Sequence, residues 1–157
     1  MEITRPTIDD VESILECWLA LAAEQTAHGS RLHVADNREV VADEIAKHVV
    51  SQGLLVAVDP EPVGFVMYER QAGRYSQRES VGSVTALYVQ PAARGESIGS
   101  QLLAAAEADL ADRGVDTVSL EVLADNEAAR RFYRRHGYEP HRLELAKSVE
   151  SDTHSKE

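Results

Sequence analysis

The sequence predicts a single α/β (α+β mixed sheet) domain: one central, mostly antiparallel sheet with one parallel strand pair, flanked by about four helices. Three observations carry this. The 157 residues are 43% hydrophobic, enough for one core without a disulfide or metal staple. The apolar period switches between 3.6 and 2 along the chain in the order β-α-α-β-β-β-α-β-α-β. A strand-helix-strand unit from Val84 to Leu123 favours a parallel crossover, while the short connections before it favour antiparallel pairing.

The elements follow in order. Ile3-Thr4-Arg5 is a short alternating stretch closed by Pro6. Asp9 or Asp10 caps a helix carrying Val11, Ile14, Leu15, Trp18, Leu19 and Ala22 at helical spacing, and Gly29-Ser30 ends it. In that amphipathic helix, one of Cys17 and Trp18 belongs to the core and the other to its margin. A polar loop to Asn37 leads into a second helix over Arg38–Ser51. Three strands are predicted at Leu54–Val58, Val63–Tyr68 and Val81–Val89, with Asp59-Pro60-Glu61-Pro62 turning between the first two. Gln71–Ser80 is a polar loop. From Ile98 the residues Leu102, Leu103, Ala106 and Leu110 mark a third long helix, ended by Arg113-Gly114. Thr117–Leu123 reads as a strand with Val118, Leu120 and Val122 on one face and Ser119, Glu121 and Leu123 on the other. A last helix opens at Asp125 or Asn126 and closes at Gly137, and Tyr138–Leu145 is predicted as a final strand. The domain is expected to span 1–147, with 148–157 a disordered tail.

Composition narrows the function classes. The net charge of −11 repels a phosphate backbone and argues against nucleic acid as the partner. It is compatible with cationic substrates such as amines, and equally with plain solubility. The single cysteine, Cys17, excludes an internal disulfide and a cysteine zinc cluster. The six histidines show no ligand spacing, so no metal is expected. No apolar run approaches a membrane span and the first residues lack a leader pattern, so a soluble, cytoplasmic protein is expected.

Two segments carry chemistry. In Leu87-Tyr88-Val89-Gln90-Pro91-Ala92-Ala93-Arg94-Gly95-Glu96-Ser97-Ile98-Gly99-Ser100, a strand runs through a Gly-containing turn into a helix. Such a junction offers free backbone N–H groups at the positive end of a helix, which suits a phosphate, though it also occurs as a plain connection. Arg94 adds a fixed positive charge. Neither the Gly-Lys-Ser/Thr of an NTPase loop nor a dinucleotide Gly-x-Gly-x-x-Gly is present. In the second segment, Glu121 lies near the C-terminal end of a strand, where ligand crevices form in α/β sheets. Asn126 and Tyr133 are two helical turns apart and share a face. A carboxylate that takes a proton and a phenol that gives one are what amine acylation needs.

Together, in this order, the two segments resemble the GNAT superfamily of N-acetyltransferases. Arg94–Gly99 is similar to its Arg/Gln-x-x-Gly-x-Gly/Ala signature, and Asn126, Ala129, Tyr133 and Gly137-Tyr138 to Asn-x-x-Ala-x-x-x-Tyr-x-x-x-Gly-Phe/Tyr. The match covers roughly a third of the chain, from Val84 to Tyr138. The resemblance implies a sheet splayed between Val81–Val89 and Thr117–Leu123, with the pantetheine of acetyl-CoA along Leu87, Tyr88 and Val89. It implies pyrophosphate on the backbone of Arg94, Gly95, Glu96, Ser97, Ile98, Gly99 and Ser100. Asn126 would reach the pantetheine arm, Tyr133 would act as general acid and Glu121 as general base. The acceptor would be a small-molecule, peptide or protein amine, and a homodimer is a common assembly among similar proteins. Ser97 departs from the pattern, standing where the family has Gly; it fits if its φ is negative and otherwise crowds the pyrophosphate. That departure keeps open a second function, a non-catalytic acyl-CoA-binding sensor or protein-interaction module. Glu24 and Asp36, with His28 and His33 nearby, fall where similar proteins border the acceptor.

Overall fold

The computed structural model describes residues 1–71 and 78–150. Most of the polar loop predicted over Gln71–Ser80, and residues 151–157 of the predicted tail, lie outside the described residues. Strands β1 (Glu2–Thr4), β2 (Leu54–Val58), β3 (Pro62–Arg70), β4 (Val81–Val89) and β5 (Thr117–Leu120) form one sheet in that spatial order. The first four pair antiparallel and β4 pairs β5 in parallel, as the connection lengths require. Helices α1 (Val11–Thr26) and α2 (Arg38–Ser51) cover one face; α3 (Ile98–Asp112) and α4 (Glu127–Arg135) belong to the other.

Strand alternation divides the core between the two faces. Leu54, Val56, Phe65 and Met67 pack with Ile14, Leu15, Val41 and Ile45 under α1 and α2. Leu55, Ala57, Val66 and Tyr68 pack with Leu102, Leu103, Ala106 and Leu110 under α3. Strand β2 is therefore apolar on both sides, the pattern of a strand covered by two layers. Cys17 is buried and Trp18 packs partly buried against the same cluster, the division expected of that helix.

A polar knot ties the far end of the domain. The Asp109 carboxylate at the end of α3 accepts from the Tyr68 hydroxyl (2.5 Å), from Arg5 Nη2 (3.0 Å) and from Arg113 Nε (3.3 Å), and it forms an ion pair with Arg113 Nη2 (2.8 Å). Both arginines also donate to the Gln52 carbonyl, at 2.7 and 2.6 Å, satisfying the C-terminus of α2. Burial, then the bond to Asp109, pushes the Tyr68 phenol up to about 12. A folded-state value above the usual 10 gives stability that is complete below pH 10 and lost as pH rises toward 12. A Tyr68→Phe variant is thus expected to lose less melting temperature than wild type between pH 9 and 11.

Two predicted strands are corrected. β5 ends at Leu120 rather than Leu123, because its partner β4 turns away at that level. Tyr138–Leu145 forms no strand, and residues 139–150 are exposed throughout. Pro140 brings no N–H to a ladder, and Leu143 and Leu145 are 78% and 83% exposed among charged neighbours.

Candidate active site

The site begins with a register shift. Met67 pairs with Ala86 and Tyr68 with Val84, leaving Thr85 as an extra residue in β4. Its hydroxyl donates to the Met67 carbonyl (3.2 Å) at the irregularity. An extra residue exchanges the faces and bends the strand. Val84 therefore packs on the α3 side, Ala86 and Tyr88 on the α1 side, and Leu87 and Val89 again on the α3 side. Pairing to β5 stops at Val84↔Leu120, so Thr85–Val89 has no ladder to β5. This is the splay implied by the resemblance, and its edge is the run Leu87-Tyr88-Val89.

Past β4, a short turn at Pro91–Ala93 brings the chain to the N-terminus of α3. Among the described residues, none of the backbone N–H groups from Gly95 to Ser100 donates to a protein acceptor. Six free donors in sequence, at the positive end of a 15-residue helix, match the chemistry of a pyrophosphate. Gly95 takes φ +86° and Ser97 takes φ +66°, so the chain turns through two left-handed positions before entering α3. The Ser97 angle is therefore the unfavourable one: a non-glycine residue holds a conformation that costs it about 1 kcal/mol or more. Ser97→Gly is expected to raise stability by about 1 kcal/mol and to tighten binding of coenzyme A, read by melting temperature and calorimetric titration.

Helix α4 closes the other side. Asn126 is its N-cap, with Oδ1 accepting from Ala129 N at 3.2 Å, so this side chain already orients the helix. Phe132 lies beside Gly99, where an added Cβ would meet the ring at 3.6 Å, and His136 Nε2 is 2.9 Å from Ser100 Oγ. The second motif thus packs directly on the first. Tyr133 packs partly buried against the α3-side core, as Leu87, Val89 and Leu120 do, with edge contacts to Phe132 and Tyr138. Its hydroxyl has no hydrogen-bond partner among the described residues. Burial pushes the phenol up to about 12, which keeps its proton in place at neutral pH.

Glu121 is placed differently. It is exposed and lies one residue past the end of β5 rather than within the strand.

Sequence reasoning missed what fastens the end of α1. Arg94 Nη2 donates to both oxygens of Glu24 (3.0 and 2.8 Å), its Nε donates to the Val89 carbonyl (2.8 Å), and its guanidinium lies over the Tyr88 ring at 5.5 Å. His28 Nδ1 is 3.0 Å from Asp125 Oδ1, beside the α4 cap. The end of α1 is therefore tied to the loops preceding α3 and α4. Glu24 and Arg94 are 70 residues apart, and no local pattern links them. A concavity of about 560 Å³, between Arg31 and Glu144–Ser148, holds none of the predicted site residues. Among the described residues, no cluster of three or more potential metal ligands occurs, and no helix is long and apolar enough to cross a membrane.

The fold is thus a mixed sheet whose β4–β5 pairing stops at Val84, followed by a helix terminus with free backbone donors. In comparison with known proteins, the Acetyltransferase (GNAT) family model matches residues 15–138. The chain is 38% identical over 137 residues to an uncharacterized N-acetyltransferase of Archaeoglobus fulgidus, covering 85% of this chain and 89% of that one. It is 33% identical over 135 residues to the mycothiol acetyltransferase of Streptomyces avermitilis, covering 85% of this chain but 42% of that protein. The chain thus spans about two fifths of the mycothiol acetyltransferases it matches. The PaiA N-acetyltransferase of Thermoplasma acidophilum, solved in complex with coenzyme A, superposes with a TM-score of 0.76 at 20% identity, covering 91% of this chain and 92% of that one. The chain belongs to the GNAT acetyltransferase family, whose acyl donor is acetyl-CoA.

Proposed function

We propose that this chain transfers the acetyl group of acetyl-CoA directly to a primary amine. The observation that carries the reading is the run of free backbone donors from Gly95 to Ser100 where β4, unpaired to β5 beyond Val84, leads into α3; a phenol kept protonated by burial, Tyr133 of α4, supports it. Acetyl-CoA supplies the activated thioester. The donors of the α3 loop hold the pyrophosphate, and the free edge at Leu87-Tyr88-Val89 aligns the pantetheine arm with help from Asn126. Glu121 takes a proton from the acceptor ammonium, whose nitrogen then forms the C–N bond as the C–S bond breaks. Tyr133 gives its proton to the departing sulfur, and the resulting phenolate takes the second proton of the attacking nitrogen. Glu121 passes the first to solvent, so the free thiol and the neutral amide leave with protons balanced. Backbone N–H near Val89 steadies the carbonyl oxygen.

One feature favours a second reading. The left-handed Ser97 presents a Cβ where the family has none, which suits a non-catalytic acyl-CoA-binding module. A thermal-shift titration with acetyl-CoA, CoA and ATP tests the common premise. Both CoA forms, and not ATP, are expected to stabilise the protein by roughly RT ln(1 + [L]/Kd); no shift at millimolar ligand removes both readings. Release of free thiol from acetyl-CoA with a panel of small amines, amino acids and peptides then separates them. A module that binds without turnover releases none.

A further inference from the structure

The α3 loop contributes one arginine, and here its guanidinium is held by Glu24 while the backbone donors beside it are free. The ion pair is half exposed, with Arg94 at 46% and Glu24 at 44%. Pairs of that kind are weak, and a pyrophosphate is a stronger bidentate partner for a guanidinium than a half-solvated carboxylate. Arg94 is anchored at the right place for an exchange, because its Nε stays on the Val89 carbonyl whichever anion the outer nitrogens hold. The carboxylate on the other side of the exchange belongs to α1, which covers the sheet face opposite α3, and His28–Asp125 ties that helix end to the loop before α4.

We propose that Glu24 is an exchangeable counter-ion: it neutralises Arg94 in the free enzyme and is released when the cofactor pyrophosphate takes the guanidinium. The freed carboxylate then receives the ammonium of a cationic acceptor, so that cofactor binds before amine. This inference rests on the acetyl-CoA reading given above, which assigns the α3 loop to the pyrophosphate.

The test is a double-mutant cycle on binding of plain CoA, measured by calorimetry for wild type, E24Q, R94Q and the double variant. Such a cycle isolates the Glu24–Arg94 interaction that is lost on binding, whatever the general effect of removing one negative charge. E24Q is expected to bind CoA more tightly, and its gain is expected to be roughly two- to fivefold larger with Arg94 present than in the R94Q background. Equal gains in both backgrounds, or no gain in wild type, would overturn the exchange. Wild type that fails to bind CoA at millimolar concentration would instead sink the underlying assignment. With the amine that the acceptor panel yields, E24Q is expected to raise KM at least threefold (roughly, as for loss of one exposed ion pair) with kcat retained. An unchanged KM would remove the acceptor role.

Discussion

Tyr133→Phe is expected to lower kcat by roughly a hundredfold or more while leaving the Kd for CoA within about twofold, because positioned proton transfer contributes on the order of 10²–10⁴. The substitution removes one hydroxyl that has no protein partner among the described residues, so the packing of the ring against the α3-side core and its edge contacts to Phe132 and Tyr138 survive. Stopped thiol release with unaltered calorimetric binding would place the hydroxyl in the chemical step. Wild-type turnover would exclude it as the acid. The pH profile gives a second check. Since burial holds this phenol near 12, its protonated form persists through the neutral and mildly alkaline range. Any alkaline fall of kcat below pH 10 should therefore persist, with unchanged midpoint, in the residual activity of the phenylalanine variant.

Asp109→Ala is expected to destabilise the fold by about 3 kcal/mol. Its carboxylate is 19% exposed and serves Tyr68, Arg5 and Arg113 at once; removing it leaves two guanidinium groups crowded at one helix end and a buried hydroxyl without its acceptor. For a chain of this size that corresponds to a fall on the order of 10 °C in melting temperature. Asp109→Asn should recover part of the loss, since an amide oxygen still accepts a hydrogen bond. A drop below about 1 kcal/mol for the alanine variant would mean that the arginines find other partners.

The sequence was most informative where period and punctuation agreed. Leu54–Val58 and Val81–Val89 have their expected bounds, set by Gly53, Asp59 and the Gln90-Pro91 turn, and Arg38–Ser51 likewise. The two motifs were readable because each is local: a turn entering α3, and an N-cap with a tyrosine two turns on. What was not readable is what depends on distant partners. Strand β5 lost Glu121–Leu123 because pairing, not composition, ends a strand, and β4 leaves at Val84. Tyr138–Leu145 has strand-like alternation but no neighbour to pair with among the described residues. The sign of φ at Ser97 and the grip of Glu24 on Arg94 come from the tertiary path of the chain, which leaves no trace in neighbouring residues.

The extra residue at Thr85 also has a consequence for how this chain tolerates change. The gap between β4 and β5 depends on a count of residues, not on the identity of any one side chain. A scan that substitutes each position in turn would pass over Thr85 with little effect, since many residues can occupy a bulge. An in-frame loss of that one codon would instead invite β4 to run on in register, swap Leu87 and Val89 with Tyr88 between faces, and let the two strands zip shut. Such a variant would keep nearly every atom of its proton-transfer and phosphate-holding groups and still have no slot for a thioester.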